Sequence, residues 1–178
     1  MSLDRVSHGA DAPDVFNVII EIPMNADPIK YEVDKETGVL FVDRFMGTSM
    51  HYPCNYGYVP QTVSQDGDPV DVLLITPFPL VHGVAVRCRP LGLLNMTDEH
   101  GPDAKVLAVP DDAVLGIYNH WKTFSDINPQ RLKQIQHFFA HYKDMEPGRW
   151  VKIVDWESVD AAKTEVREGM RRYLARKS

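Results

Sequence analysis

The sequence has too few cysteines and too little positive charge for several common classes of protein. Its two cysteines, Cys54 and Cys88, match no metal-ligand spacing. We therefore expect both thiols to be reduced and buried, as in a cytoplasmic protein. The formal net charge of −6 and the pI near 5.6 argue against a nucleic-acid binder, because phosphate contacts demand a basic surface.

Long apolar segments are also missing. The N-terminus has no basic segment followed by an apolar run, and Pro77 and Pro79 interrupt the most apolar region. These features predict neither a signal peptide nor a membrane span. The 44% of hydrophobic residues is enough for one compact domain over residues 1–178, in which we expect residues 1–14 to be loosely packed.

The strongest chemical signal lies in an acidic turn before an apolar run. Asp66, Asp68 and Asp71 fall within six residues, and Gly67 and Pro69 favour a rigid turn between them. Carboxylates crowded in this way repel one another and stay deprotonated only when cations neutralise them. The turn therefore predicts a metal site.

Two other interpretations of this turn are open to test. A calcium hand loop starting at Asp66 requires Gly at its sixth position and Glu at its twelfth, and these positions hold Asp71 and Pro77. The calcium loop is therefore excluded. A solvated acidic turn between strands is the simpler alternative, and the third carboxylate, which enters an apolar strand, weighs against it.

The apolar pattern changes from strands to helices along the chain. Strands are predicted at residues 15–22, 30–33, 39–44, 72–75, 84–96 and 105–109. Asn128 and Pro129 open a helix whose apolar stripe is Leu132, Ile135, Phe139 and Tyr142. Ser158 can cap a last helix, which ends in a charged and solvated tail at residues 171–177. This order argues for an α+β domain built on an antiparallel sheet.

Several polar side chains on the first strands have both a surface and a site interpretation. Glu21 is either exposed at the sheet rim or held by a cation in a cavity. Lys30 and Glu32 share one strand face, and a surface charge pattern is the simpler explanation for them. Arg44 carries a planar donor fork that suits phosphate, although it could be a plain surface arginine.

A second acidic segment, at residues 97–103, is predicted to be a loop. Asp103 and Lys105 lie two apart at a strand entrance, so one can point toward a metal and the other toward phosphate. Two acidic turns in one small domain strengthen the case for a shared metal site. His137 and His141 lie one helical turn apart but lack the Glu of a zinc motif, so we expect a surface or subunit contact.

These residues resemble a known family. Asp66-Gly67-Asp68-Pro69-Val70-Asp71-Val72-Leu73 is similar to the signature of the soluble inorganic pyrophosphatases of the first family. The similarity runs from residue 18 to residue 156 and includes residues 52–58 and 141–143. The bacterial, short-chain branch fits best.

The resemblance implies a fold, a reaction and an assembly. The fold is a five-stranded antiparallel barrel-like sheet, similar to the oligonucleotide-binding fold, with two C-terminal helices packed outside. The reaction is hydrolysis of inorganic pyrophosphate to two orthophosphates, with several Mg²⁺ ions as cofactor. A water bridging two ions about 3.5 to 4 Å apart becomes the nucleophile. The bacterial members of the family are homohexamers, and no nucleic acid or membrane partner is implied.

The resemblance also assigns roles to individual residues. The implied metal ligands are Asp66, Asp71, Asp103, Asp98, Glu32 and Glu21. Asp68 is implied as the base that takes the proton of the attacking water. The implied ligands of the phosphate oxygens are Lys30, Arg44, Tyr56, Lys105, Tyr142 and Lys143.

Two other functions remain compatible with the pattern. A metal-dependent nucleotide hydrolase would use similar ions, but it needs a base-binding pocket for which the sequence offers no candidate. A barrel-type binding module without catalysis is the other function, and nothing in that role requires the carboxylates.

A phosphate-release assay separates these three functions. We expect the protein to release phosphate from pyrophosphate only when a divalent metal is added, because the carboxylates would otherwise repel the anionic substrate. Chelation should abolish the activity, and added Mg²⁺ should restore it. Undiminished turnover after exhaustive chelation would contradict the metal site.

Overall fold

The computed structural model describes residues 3–34 and 36–177. In chain order the strands are β1 (Phe16–Ile22), β2 (Ile29–Val33), β3 (Leu40–Phe45), β4 (Asn55–Val59), β5 (Val70–Leu74), β6 (Ala85–Asp98), β7 (Gly101–Pro110) and β8 (Val151–Glu157). The helices are α1 (Pro129–His141), between β7 and β8, and α2 (Val159–Lys177), after β8.

Five of the strands close into a ring in the order β1-β4-β5-β7-β6, because β6 also pairs with β1. One long strand makes this closure possible, since residues 85–88 of β6 pair with β1 and residues 88–98 pair with β7. The predicted five-stranded barrel-like sheet is confirmed. Only β5 and β7 run parallel within the ring. β8 extends the sheet beyond β6, and β2 and β3 form a separate hairpin.

Strand alternation divides the core into two main layers. Leu73 of β5 belongs to the cluster that packs against Ile135 and Phe139 of α1. Its neighbour Val72 points to the opposite side and joins the cluster that contains Val166 of α2. Because successive strand residues face opposite sides, one strand contributes to both layers. The two helices therefore pack into different layers of the core.

Local signals set the start of each helix, as the sequence predicts. The Asn128 side chain accepts a 2.8 Å hydrogen bond from the amide of Gln130, and Pro129 occupies the first turn. The hydroxyl of Ser158 accepts from the amide of Ala161 at 3.2 Å. The predicted stripe of α1 is present, and Phe138, which the pattern left out, is buried beside it.

The sheet corrects one sequence prediction, and the last helix makes contacts that the sequence did not indicate. Residues 97–103 are not a long loop, because the β6–β7 ladder continues to the pair Asp98 and Gly101. Residues 171–177 are largely exposed, as the sequence predicts, but α2 continues to Lys177 and two of its arginines contact the chain near residue 65. β4 and β8 were not predicted from the sequence.

The N-terminal segment lies against the barrel. Residues 1 and 2, which belong to the segment expected to be loosely packed, lie outside the described residues. Leu3 and Val6 pack against the cluster around Ile19. In the described part of the chain, no helix is long and apolar enough to cross a membrane.

The β1–β4 pairing gives a test of the barrel closure. A Cβ at Gly57 would overlap the carbonyl oxygen of Ile19 and lie 3.0 Å from Cα of Ile20. We expect Gly57→Ala to lower the free energy of unfolding by about 2 kcal/mol or more, since backbone must move to relieve the overlap. Urea denaturation measures this change.

Gly116→Ala is the matched control, because a Cβ there meets no atom within 4 Å. Its unfolding free energy should stay within about 0.5 kcal/mol of the parent value. Equal midpoints for the two variants would contradict the close approach of β4 to β1.

Candidate active site

One cavity of about 500 Å³ opens at an end of the barrel. Every residue that the sequence singled out as a site residue lines it: Glu21, Lys30, Glu32, Arg44, Tyr56, Asp66, Asp68, Asp71, Asp98, Asp103, Lys105, Tyr142 and Lys143. They come from seven strands, β1 to β7, from the turn before β5 and from the end of α1. The fold therefore gathers residues that are up to 122 positions apart in the chain.

Lys105 is the central cation of the cavity. The parallel register of β5 and β7 places it opposite Asp71. Its Nζ lies 2.7 Å from an oxygen of Asp71 and 3.0 Å from an oxygen of Asp103. Burial alone would lower the pKa of Lys105, but Asp103 and Asp71 outweigh burial and raise it well above its ordinary value. Lys105 is therefore charged although its side chain is only 3% exposed.

Two buried tyrosines stand beside this ammonium group. The hydroxyl of Tyr56 lies 3.3 Å from Nζ of Lys105. Burial, and then the charge of Asp71, raises the pKa of Tyr56 well above its ordinary value. Burial likewise raises the pKa of Tyr142, at the end of α1. Both side chains are consequently neutral phenols that can donate a hydrogen bond to an anion.

The turn before β5 carries the carboxylates that lack a protein cation. The amide of Asp68 donates to an oxygen of Asp66 at 3.0 Å, and the amide of Ser64 donates to the Asp68 carbonyl at 2.6 Å. Burial, and then repulsion from Asp71 and Asp68, raises the pKa of Asp66. Among described residues, neither Asp66 nor Asp68 forms an ion pair. Negative charge is thus least compensated on this wall.

The β6–β7 hairpin and the end of α1 form the opposite wall. Nζ of Lys143 lies 2.8 Å from Asp98 and 3.2 Å from Glu99. Burial works to raise the pKa of Asp98, but the bonds from Lys143 and from the amide of His100 outweigh it and lower that pKa. Glu99 also accepts from the amide of Trp150 at 3.2 Å. These contacts hold Lys143 at the cavity surface.

Two arginines share one acid at the cavity mouth. Nε of Arg44 and Nε of Arg149 each lie 3.2 Å from Glu146. Arg44 also bonds to Asp43 at 2.9 Å. Close to them, Lys30 pairs with Glu32. Guanidinium groups fixed in this way keep free donors for a phosphate group.

Glu21 lies within the cavity wall. Its side chain accepts a 2.8 Å hydrogen bond from the amide of Val33. The residue is 5% exposed, so the alternative of an exposed rim residue does not hold.

The cavity has more negative than positive groups. Eight carboxylates line it, namely those of Glu21, Glu32, Asp66, Asp68, Asp71, Asp98, Glu99 and Asp103. Five cationic side chains face them, namely those of Lys30, Arg44, Lys105, Lys143 and Arg149. An anion such as pyrophosphate would be repelled by this excess unless further cations entered with it.

The candidate ligands of a divalent ion in this cavity are carboxylates. As the described side chains stand, no group of three His, Cys, Asp or Glu residues could hold one ion. Lys105 accounts for part of this, because its ammonium lies between Asp71 and Asp103. Mg²⁺ keeps several waters and needs only one or two carboxylates directly. All the candidate donors are carboxylate oxygens around a roomy cavity, so the residues fit hydrated Mg²⁺.

Several cavity residues were missed by reasoning from the sequence. They are Tyr58, Pro69, Glu99, His100, Pro102 and Arg149. Glu99 could have been included because it directly follows Asp98 in the acidic segment. Nothing local marks Arg149, since its place depends on Glu146 and on β8 returning to β6.

Comparisons with known proteins agree with this site. The family model of inorganic pyrophosphatase matches residues 18–174. The chain is 57% identical to the inorganic pyrophosphatase of Ralstonia nicotianae over 173 residues, which cover 97% of this chain and 99% of that one. It is 59% identical to that of Escherichia coli strain K12 over 167 residues, covering 93% and 94% of the two chains.

The fold is also similar to that of a solved structure. The structure of an inorganic pyrophosphatase from Coxiella burnetii superposes with a TM-score of 0.91 at 52% identity. The superposition covers 94% of this chain and 99% of that chain.

Proposed function

The chain belongs to the inorganic pyrophosphatase family and hydrolyses pyrophosphate to two orthophosphates, and we propose that the cavity does so with Mg²⁺. The observation that carries the proposal is the excess of carboxylates over cationic side chains, together with the uncompensated charge of Asp66 and Asp68. A polyanionic substrate enters such a cavity only with divalent cations.

The proposed metal ligands occupy both acidic walls. Asp66, Asp71 and Asp103 hold the first ion, and Asp98, Glu32 and Glu21 lie toward ions that arrive with the substrate. When bound, these ions offset the charge of the phosphates and make the attacking water more acidic. Lys105 keeps Asp71 and Asp103 close together before the ions bind.

Asp68 is the proposed general base. Its side chain lines the cavity on the wall of the turn and forms no ion pair with a described residue. An unpaired carboxylate can take a proton from a water beside it, whereas a carboxylate bound to lysine is a weaker acceptor. Asp68 therefore suits proton transfer better than Asp71, which is paired with Lys105.

The cationic and phenolic groups bind the two phosphoryl ends. Lys105, Tyr56 and Tyr142 cluster at the base of the cavity, where their donors can stabilise charge that develops in the reaction. Lys143 lies on the hairpin side, and Lys30 and Arg44 lie toward the mouth. Donors on several sides hold the substrate in one orientation.

Assembly and location are the remaining parts of the proposal. Phe41 and Phe45 of the β2–β3 hairpin are 55% and 75% exposed, which supports burial against another copy in a homohexamer. The rings of His137 and His141, 4.7 Å apart on α1, are a second candidate contact. The two free, buried thiols suit the cytoplasm.

Matched variants test whether Asp68 is the general base and Asp71 a metal ligand. Asp68→Asn keeps the shape but cannot take a proton, so turnover at saturating Mg²⁺ should fall by about 10²- to 10⁴-fold. Asp71→Asn should instead weaken metal binding, so extra Mg²⁺ should restore part of its activity. The measurement is turnover against Mg²⁺ concentration for both variants and the parent protein.

The opposite pattern would contradict these roles. If Mg²⁺ alone rescued Asp68→Asn and failed to rescue Asp71→Asn, Asp68 would be the ligand and Asp71 the base.

Light scattering tests the assembly. We expect a mass six times the 20.2 kDa of one chain, because the exposed hairpin phenylalanines would then be covered. A mass of one chain at micromolar concentration would refute the hexamer.

A further inference from the structure

The last helix contacts the acidic turn along one face. Glu165, Gly169, Arg172 and Arg176 are spaced by four, three and four residues, so they lie on the same side of α2. All four contact residues 62–70, the segment that carries Asp66 and Asp68. None of the four was singled out from the sequence for a role in the site.

The first three contacts fix the base of the turn. The hydroxyl of Ser64 donates to Glu165 at 2.7 Å. The amide of Val63 donates to the Gly169 carbonyl at 2.9 Å, and the Val63 carbonyl accepts from Arg172 at 3.2 Å. Glycine at position 169 permits this close approach, because a Cβ would lie 2.6 Å from a methyl group of Val70 and something would have to shift.

The barrel closes the same base from the other side. The hydroxyl of Thr62 donates to the Val59 carbonyl at 2.6 Å and accepts from the amide of Val70 at 3.0 Å. Thr62 thereby links the end of β4 to the start of β5. These hydrogen bonds fix the two ends of the turn, and none of them involves its tip at residues 66–68.

A hydrogen bond joins the tip of the turn to the helix. Nη1 of Arg176 donates to the carbonyl of Gly67 at 3.2 Å. Gly67 lies between Asp66 and Asp68, so this bond acts directly on the peptide that separates the two carboxylates. Arg176 forms no ion pair with a described residue. Arg171, on the exposed side of the same helix, instead pairs with Glu168.

We propose that Arg176 is a positioning residue, which holds the tip of the turn from behind so that Asp66 and Asp68 face the cavity. The proposal rests on the metal site described above. Arg176 acts on the turn through the backbone carbonyl of Gly67. The C-terminal turn of α2 is then part of the active site's support.

Removing Arg176 has two effects on Mg²⁺ affinity, and they act in opposite directions. A positive charge close to carboxylates opposes the binding of a divalent cation, so its loss by itself would tighten Mg²⁺ binding. Loss of the hydrogen bond to Gly67 frees the tip and spreads Asp66 and Asp68 over more positions, which weakens Mg²⁺ binding. Weaker Mg²⁺ binding would therefore indicate that the hydrogen bond dominates, and tighter binding that the charge dominates.

The test compares Arg176→Met with Arg171→Met, a control that removes the same charge from the exposed side of α2. Calorimetry of Mg²⁺ binding without pyrophosphate should show about threefold to tenfold weaker affinity for Arg176→Met, the size expected for one lost hydrogen bond. Arg171→Met should stay within about twofold of the parent protein. Arg176→Lys, which keeps a donor, should recover part of the affinity.

Hydrogen exchange gives a second measurement that does not involve metal. In Arg176→Met the amides of residues 64–68 should exchange about threefold to tenfold faster, while those of β5 and the melting temperature stay unchanged. A general loss of stability would instead speed exchange throughout the chain and overturn the local role.

The remaining outcomes are also decisive. Unchanged or tighter Mg²⁺ binding together with unchanged exchange would overturn the proposal and leave Arg176 a surface charge. If the parent protein itself bound no Mg²⁺, the metal site would fail, and the exchange rates would still decide whether Arg176 holds the turn.

Discussion

The Lys105 ammonium, held between Asp71 and Asp103, is the interaction on which the cavity depends. Without a cation at this point, the carboxylates of β5 and β7 would repel one another at the end of a closed barrel. The parallel pairing of these strands brings the opposite charges together. The same ammonium group thus offsets the repulsion between these carboxylates and offers a positive charge to an anionic substrate.

The elements that surround Lys105, Asp71 and Asp103 differ in how deeply they are buried. β5, β6 and β7 are buried on both faces over much of their length and supply Asp71, Asp98, Asp103 and Lys105. The turn carrying Asp66 and Asp68 is exposed and has few contacts of its own. Hydrogen bonds from outside the barrel restrain this turn, and they involve Glu165 and Arg176 of α2. A site can combine fixed strand residues with a turn when a second layer restrains the turn.

Burial gives the cavity groups distinct chemical states. Burial keeps Tyr56 and Tyr142 as neutral donors. Neighbouring carboxylates keep Lys105 charged despite its burial. Asp66 shows the reverse: although it is exposed, partial desolvation in the cavity and then like charges raise its pKa, and a divalent cation would lower it again. The arrangement thus favours an anion that arrives with metal ions over either one alone.

The sequence by itself determined the acidic turn, the two helix starts and the identity of thirteen of the nineteen residues that line the cavity, because each depends on local chemistry or on a motif. Turn residues, caps and apolar periodicity act over a few positions, so they can be recognised without a fold. Only the tertiary structure decided that Arg172 and Arg176 contact the acidic turn, that Glu146 holds Arg44 with Arg149, and that the segment after β6 is a tight hairpin. Arg176 and Gly67 are 109 positions apart, and such a contact exists only after the barrel has closed and α2 has packed against it.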